Sequence, residues 1–517
     1  MAILYVSKTA TNGYVVGNDA NNGTSKALAK LTVASAITAA VNGGDEIKVN
    51  DGTYSHATFF NTSNKGITIN PENAYKVTLD GTDATQVLQC GHTAGLTLTI
   101  GALILDGKNT AARCVNVTGD VALATTVFNG TKFIRFTEEA VHSVKSNEDI
   151  TFNNTIVEAS LSETNKLSAL FYKDNALTGS VTVNGGRGTV TNTTAASRSF
   201  VRVTRASGSS PVVVTIRDIR GLTLISNVAT GGTGWRLYNG VSVDDSVIER
   251  NHVTFDVAQD VTAIQVRAAS DVSPTAHRAV VRYNVFRMLR AVSGYGVVIG
   301  PIATGTNSHR ANNAEVYGNT IIWETAPLPG VTPHGIAFSY ATGCRAYGNT
   351  VIGAYAPFLN RGIDCSFVGN KADKAYGRCC YSKGSTNGLF AQNVLGVIAV
   401  DNTTGALSAV VGEDATNTTK CKFVMNVVVV SGPAVNVVNV TPSQDVDFYG
   451  NRYVSTRTLN FILGASTYTN LKDWNAVATV EGDYLGPDGA ELPINTQLAV
   501  DSSQVVNDTE TVRTDYF

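Results

Sequence analysis

No stretch of this chain reaches eighteen consecutive apolar residues, which excludes a membrane-spanning helix and insertion by that route. Charge is scarce: 15% of residues are charged and the net charge is −2, so the balance excludes a surface built wholesale for nucleic acid or an anionic membrane. Cysteine is limited to seven scattered residues, with no CxxC pair and no Cys/His spacing of a zinc site. Neither a metal nor a cofactor is expected. Gly294–Gly300, GYGVVIG, misses the GxGxxG spacing, and no Walker, HExxH or GxSxG sequence is present. The opening MAILYVSKTATNGYVV has no basic segment followed by an apolar one, so the expectation is a protein made in the cytoplasm without a secretory signal, its thiols reduced. Disorder is excluded by a hydrophobic content of 43%.

What is present is valine, threonine, asparagine and 48 glycines against 12 prolines, a composition that favours strands and tight turns. VYGNT at Val316–Thr320 returns thirty residues later as AYGNT at Ala346–Thr350. The asparagine belongs to a longer series: Asn227, Asn251, Asn284, Asn319, Asn349, Asn370, Asn393, Asn426 and Asn451. Three residues before each stands an apolar residue, among them Val281, Val316, Phe367, Phe390, Phe423 and Phe448. Five before each stands a small or apolar one, including Cys344, Cys365 and Cys421, and the position between is mostly polar. Such period-two alternation is that of a strand with one buried face. A second series precedes it, including RCVNV, AVHSVK, ALFYKD, FVRVTR, WRLYN, AIQVRA, GVVIG, GIAFS, GRCCY, GVIAV and VNVVN. Each unit therefore reads strand, turn, strand with asparagine, then a loop of variable length.

One such unit cannot bury its apolar face alone, so successive units must stack as coils. At the strand spacing of about 4.8 Å, equivalent residues fall on top of one another. The asparagine is expected to be first a structural device, its amide donating and accepting between neighbouring coils. The spacing, the GN turns and the coil length resemble the right-handed parallel β-helix of the pectate-lyase-like superfamily. The entry segment adds to the resemblance: GNDANNGTS, a short helix, then GDEIKVNDGTY. Thr32 is placed as its N-cap, Val33, Ile37, Ala40 and Val41 as its apolar face, and Gly43 as its end. The expected fold is all-β: a single-stranded parallel β-helix with a capping helix. Residues 1–54 form the N-terminal arm, helix and first strand, 55–464 the solenoid, and 465–517 an irregular C-terminal tail.

Within that superfamily the composition resembles bacteriophage tailspikes. The resemblance implies a virion-borne homotrimer, in contact with other virion proteins, that binds and cleaves a bacterial surface polysaccharide. A non-catalytic virion adhesin and a free polysaccharide lyase are the alternatives. Glycoside hydrolysis needs two carboxyl groups, and eliminative cleavage needs a base and a cation beside the sugar carboxylate. Loops lengthen around His309–Arg310 and in IIWETAPLPGVTPHG. This places Glu324, Asp364 and Asp256 as candidate catalytic carboxylates, Trp323 as a sugar platform, and His334, Arg310 and Arg361 as substrate contacts. Lys145, Lys173, Arg205 and Arg267, which end successive strands, form an expected basic stripe for an acidic glycan.

Overall fold

The computed structural model describes residues 2–469 except 42, 92–94, 119–123, 145–146, 163–167, 177–178, 206–211, 229–233, 269–275, 302–310, 329, 399–410, 415–420, 431–434, 441–445, 450, 456–458 and 464–465. The expected tail from 465 onward therefore lies almost wholly outside the described residues, as do Lys145 and Arg310. Two compact units divide the chain, Met1–Asp260 and Val261–Phe517. Each is a right-handed parallel β-helix.

Coils of the second unit carry three strands rather than the two read from the sequence. We call them entry, middle and exit strands; the asparagine stands between the last two. In the second unit one coil runs through Pro333–Thr342, Arg345–Tyr347 and Thr350–Ile352, the next through Ala356–Ile363, Ser366–Val368 and Lys371–Ala375. Like strands pair in parallel, as in Val316↔Ala346 and Ala346↔Phe367. The entry strand Ala356–Ile363 is absent from the sequence series. GVIAV, placed there as an entry strand, instead falls at the end of the exit strand Val394–Val397. The entry strand of the following coil is Val411–Asp414, paired with Cys380–Lys383. Apolar alternation alone does not tell which side of the coil a strand occupies.

The repeated pentapeptide is a building rule. The residue before six of these asparagines has left-handed backbone: Tyr283, Gly318, Gly348, Gly369, Gln392 and Met425 have φ between 52° and 62°. Glycine enters that conformation without a steric penalty. The bend turns each asparagine into the coil, where Asn284, Asn319, Asn349, Asn370, Asn393, Asn426 and Asn451 form a ladder. The backbone N–H and Nδ2 of Asn319 both donate to Oδ1 of Asn349, at 3.0 and 2.9 Å, and Nδ2 also donates to the Val281 carbonyl at 2.8 Å. Buried amide groups are thereby satisfied between coils. Asn227 does not belong to the series: it is exposed after the strand Val213–Ser226. Ile219 occupies the equivalent place, its N–H donating to Oδ1 of Asn251.

Inside the ladder, Phe367, Phe390, Phe423 and Phe448 stack with centroids 5.1, 4.9 and 4.7 Å apart and rings within 8° of parallel. The cysteine column is likewise interior, and all seven cysteines are free and buried. In the first unit three coils fuse middle and exit strands into single strands, Asp149–Leu161, Ser180–Asn192 and Val213–Ser226. Here Phe128 stacks on Phe152 at 5.1 Å, and Phe171 packs against Phe152 from the opposite strand.

The N-terminal arm closes the first unit. Ile3–Val6 pairs in parallel with Asp45–Val49, and the helix Val33–Ala39 packs against both. Thr32 caps the helix through Oγ1, which accepts from Ser35 N–H at 3.1 Å. Val33, Ala36 and Ile37 supply the buried face. Val41 is exposed instead of buried, because the helix ends before it, at Ala39. A solenoid needs such a plug over its first coil.

Candidate functional site

Alternation along the entry strands decides which side chains meet solvent. In the first unit Leu88, Val115, Val141, Phe171 and Val201 are in register and fully buried. The residue after each faces the other way. These are Gln89, Asn116, His142, Tyr172 and Arg202, which with Asn239 form one unbroken file across six coils. Gln89, Asn116, Tyr172 and Arg202 are half-buried; His142 and Asn239 sit deeper. The His142 and Tyr172 rings lie 5.4 Å apart and tilted, and the Arg202 guanidinium stands 5.7 Å from the Tyr172 centroid.

Behind His142 stands a carboxylate. Glu139 is fully buried, and its Oε1 lies 2.7 Å from His142 Nδ1 and 3.3 Å from Arg113 Nε. Its Oε2 is buried without a hydrogen-bond partner. Arg113 also donates from Nη2 to Glu138 Oε2 at 2.8 Å. Gln86 lies in register with Arg113 and donates from Nε2 to Gln89 at 2.8 Å. The file therefore offers amides, an imidazole backed by a carboxylate, a phenol and a guanidinium group. These groups bind hydroxyls and carboxylates, and two of them can exchange protons. None of the file was singled out from the sequence. Its signal was nevertheless there, in the polar residue flanked by inward ones in RCVNV, AVHSV and FVRV.

The expected basic stripe is corrected by the same alternation. Lys173 is two residues after Phe171 and shares its inward face; it is fully buried and donates from Nζ to the Glu148 carbonyl at 3.2 Å. Burial pushes the Lys173 ammonium down to about 8 and the Glu148 carboxyl, bonded by Thr126 Oγ1, up to about 7. Arg205 is also buried, donating from Nη1 to Asp244 Oδ2 at 2.6 Å. Arg267 is half-buried at the end of its strand in the second unit.

The remaining sequence candidates separate. Asp256 belongs to the first unit, half-buried and in register with Ile225. Glu324 and Asp364 belong to the second but stand on different sides of the coil, one after an exit strand and one after an entry strand. Glu324 Oε1 accepts from Arg287 Nε and Nη2 at 2.8 and 2.6 Å. Asp364 is exposed in a left-handed turn, where Oδ1 accepts from Asn387 Nδ2 at 2.9 Å. Trp323 is no open platform: it is 3% exposed, turned inward in register with Met288.

His334 and Arg361 do share one outward face of the second unit. The His334 ring stacks on Tyr295 at 4.7 Å, and Arg378 lies 4.2 Å from the Tyr381 centroid. Tyr295 and Tyr381 pack with the buried strip Val298, Ala337 and Leu359. His334 is pushed down to about 3, first by burial and then by the charges of Arg361 and Arg378. Its Nδ1 and the Arg361 Nε are buried without hydrogen-bond partners. Among the described residues no group of three or more His, Cys, Asp or Glu side chains is arranged to hold a metal ion.

No protein-family model and no curated protein matches the chain. Solved structures do. The tailspike protein of Escherichia coli bacteriophage HK620, in complex with a pentasaccharide, is 13% identical with a TM-score of 0.41, covering 81% of this chain and 72% of its own. Tailspike protein 3 of bacteriophage CBA120 is 10% identical at a TM-score of 0.37, covering 88% and 61%. An alginate lyase from Paenibacillus is 16% identical at 0.36, covering 62% and 92%. At these identities the likeness is one of fold.

Proposed function

We propose that this protein binds a bacterial surface polysaccharide along the outward file of its first unit. The observation that supports this is the file itself: Gln89, Asn116, His142, Tyr172, Arg202 and Asn239 follow one another coil by coil. Their repeat, about 4.8 Å, is close to the length of one sugar residue, so a glycan laid along the coil axis meets a new polar or aromatic side chain at each residue. Amides and guanidinium groups hold hydroxyls and acid groups; the Tyr172 ring offers an apolar surface. The test is co-sedimentation with a panel of purified capsules and lipopolysaccharides. Binding to at least one member is expected, weakened at least about tenfold by Arg202→Ala, a loss typical of a charged contact. Equal binding by the variant removes the file from the reading.

The same proposal makes the protein a tailspike-like virion component that works as a homotrimer. Sedimentation equilibrium is expected to give three times the 54.4 kDa chain mass. Glu324 stays in the proposal as a contact at the second unit, since it is exposed and held by Arg287. Glu324→Gln is expected to weaken binding less than Arg202→Ala in the same assay.

A further inference from the structure

We infer that the outward face of the second unit around His334, Arg361 and Arg378 is a binding site for a phosphate dianion. It draws on no residue of the glycan-binding file in the first unit.

Alternation places the groups. Val298, Ala337, Leu359 and Tyr381 follow one another in register along the entry strands, and all four are buried. They point away from the coil interior, because their neighbours Phe338 and Phe358 pack inward on Phe367. Arg361 stands two residues after Leu359 and shares its outward face. Tyr295 and His334 are in register one coil apart, with rings 4.7 Å apart and nearly parallel. Arg378 lies 4.2 Å from the Tyr381 ring centroid. Both guanidinium groups are near enough to His334 for their charges to hold its imidazole neutral. The face therefore has an apolar floor, aromatic walls and two half-buried cations.

Neither cation is matched by an acid. Arg361 and Arg378 form no ion pair among the described residues. Arg113 and Arg205, also drawn in from solvent, each hold a carboxylate. Two like charges on one poorly hydrated face repel unless an anion joins them. His334 Nδ1 and Arg361 Nε are moreover buried without a hydrogen-bond partner, a state that buried polar atoms rarely keep. An anion answers both observations: guanidinium forks donate to its oxygens, and charge-assisted bonds of this kind are the strong ones.

Charge and shape select the anion. Two uncompensated positive charges match a phosphate monoester or the free ion, which carries about −1.5 to −2 at pH 7. A sugar carboxylate or a phosphodiester carries one charge and leaves one guanidinium unmatched. A planar carboxylate also meets a single fork, whereas tetrahedral oxygens meet forks from two directions.

The experiment is calorimetry on the full chain in buffer free of phosphate and sulfate, with inorganic phosphate, methyl phosphate, dimethyl phosphate and galacturonate. Saturable binding of inorganic phosphate is expected, at least about tenfold tighter than dimethyl phosphate or galacturonate. Methyl phosphate separates the sources: equal affinity identifies the ligand as a phosphoryl group on a larger molecule, and weaker affinity identifies it as the free ion. Arg361→Gln and Arg378→Gln are each expected to weaken phosphate binding at least about tenfold. Their melting temperatures without phosphate are expected at or above wild type, since either change relieves a repulsion. Arg378→Lys, which keeps the charge and loses the fork, is expected to weaken binding less than Arg378→Gln. Crystals soaked in tungstate, a heavy tetrahedral oxyanion, are expected to show its anomalous peak between Arg361 and Arg378. No saturable phosphate binding, wild-type affinity in both glutamine variants, a tungstate peak elsewhere, or galacturonate bound as tightly as phosphate each overturn the site. A chain that takes phosphate and sediments with no polymer keeps this site and removes the glycan reading; one that sediments with polymer and takes no phosphate does the reverse.

Discussion

Lys173 lies deeper than a lysine usually does, fully enclosed with Glu148 in the interior of the first unit. A buried ammonium and a buried carboxyl depend on each other, and taking one away leaves the other unmatched. Lys173→Met is expected to destabilise the protein by about 3 kcal/mol in urea denaturation, and Lys173→Met with Glu148→Gln to recover much of that loss. His334 makes the opposite case, a titratable group held neutral. Its folded value is about 3 against 6.5 when unperturbed, lowered first by burial and then by Arg361 and Arg378. Between those values the unfolded chain binds the extra proton, so its contribution is complete above about pH 6.5 and is lost as pH falls towards 3. His334→Phe, which keeps an aromatic ring on Tyr295, is expected to lose less stability than the wild type between pH 7 and 4.5. Denaturation midpoints at the two pH values check it. Sequence placed His334 and Arg361 as site residues and put Lys173 on a surface. The first pair does share a face, while the lysine was misplaced because a basic residue at a strand end was read as a turn residue. Counting back two positions to Phe171 shows which way it points.

For the element, the unit of stability is the ladder between coils. Asn349 accepts two hydrogen bonds from Asn319 through Oδ1 and donates from Nδ2 to the Val316 carbonyl and to Asn370 Oδ1. Asn349→Ala strands buried donors on Asn319 and is expected to cost about 3 kcal/mol in urea unfolding; Asn387→Ala, which loses one exposed bond to Asp364, is expected to cost less than about 1 kcal/mol. Gly388 fills the position held by Cys365 and Cys421 in neighbouring coils because there is no room for a side chain. A Cβ there falls 2.6 Å from Asn360 Nδ2 and 2.9 Å from Cys421 Sγ. Gly388→Ala is accordingly expected to destabilise by about 1–3 kcal/mol, read from the same midpoint. The column of small residues was visible in the sequence; why one member had to be glycine was not, since that depends on the neighbours above and below.

Across the whole molecule, seven thiols are buried and none is bridged. Ellman's reagent is expected to find essentially none in the native protein and seven after denaturation, and a reducing agent to leave the melting temperature unchanged. Two or more fast-reacting native thiols would falsify the interior placement of the cysteine column.

The strand content, the stacking of like positions, the interior phenylalanine file and the capping helix were determined by the sequence alone. Each follows from local periodicity: apolar alternation sets a face, and a repeated left-handed turn sets the register. The side of the coil to which each strand belongs, the fusion of strands in the first unit and the meeting of Glu139, His142, Tyr172 and Arg202 were decided only by tertiary structure. Those four residues are spread over 64 positions from 139 to 202, on three strands separated by four connections of different length. Only the winding of the coil, with one turn laid on the next, brings each of them against the next.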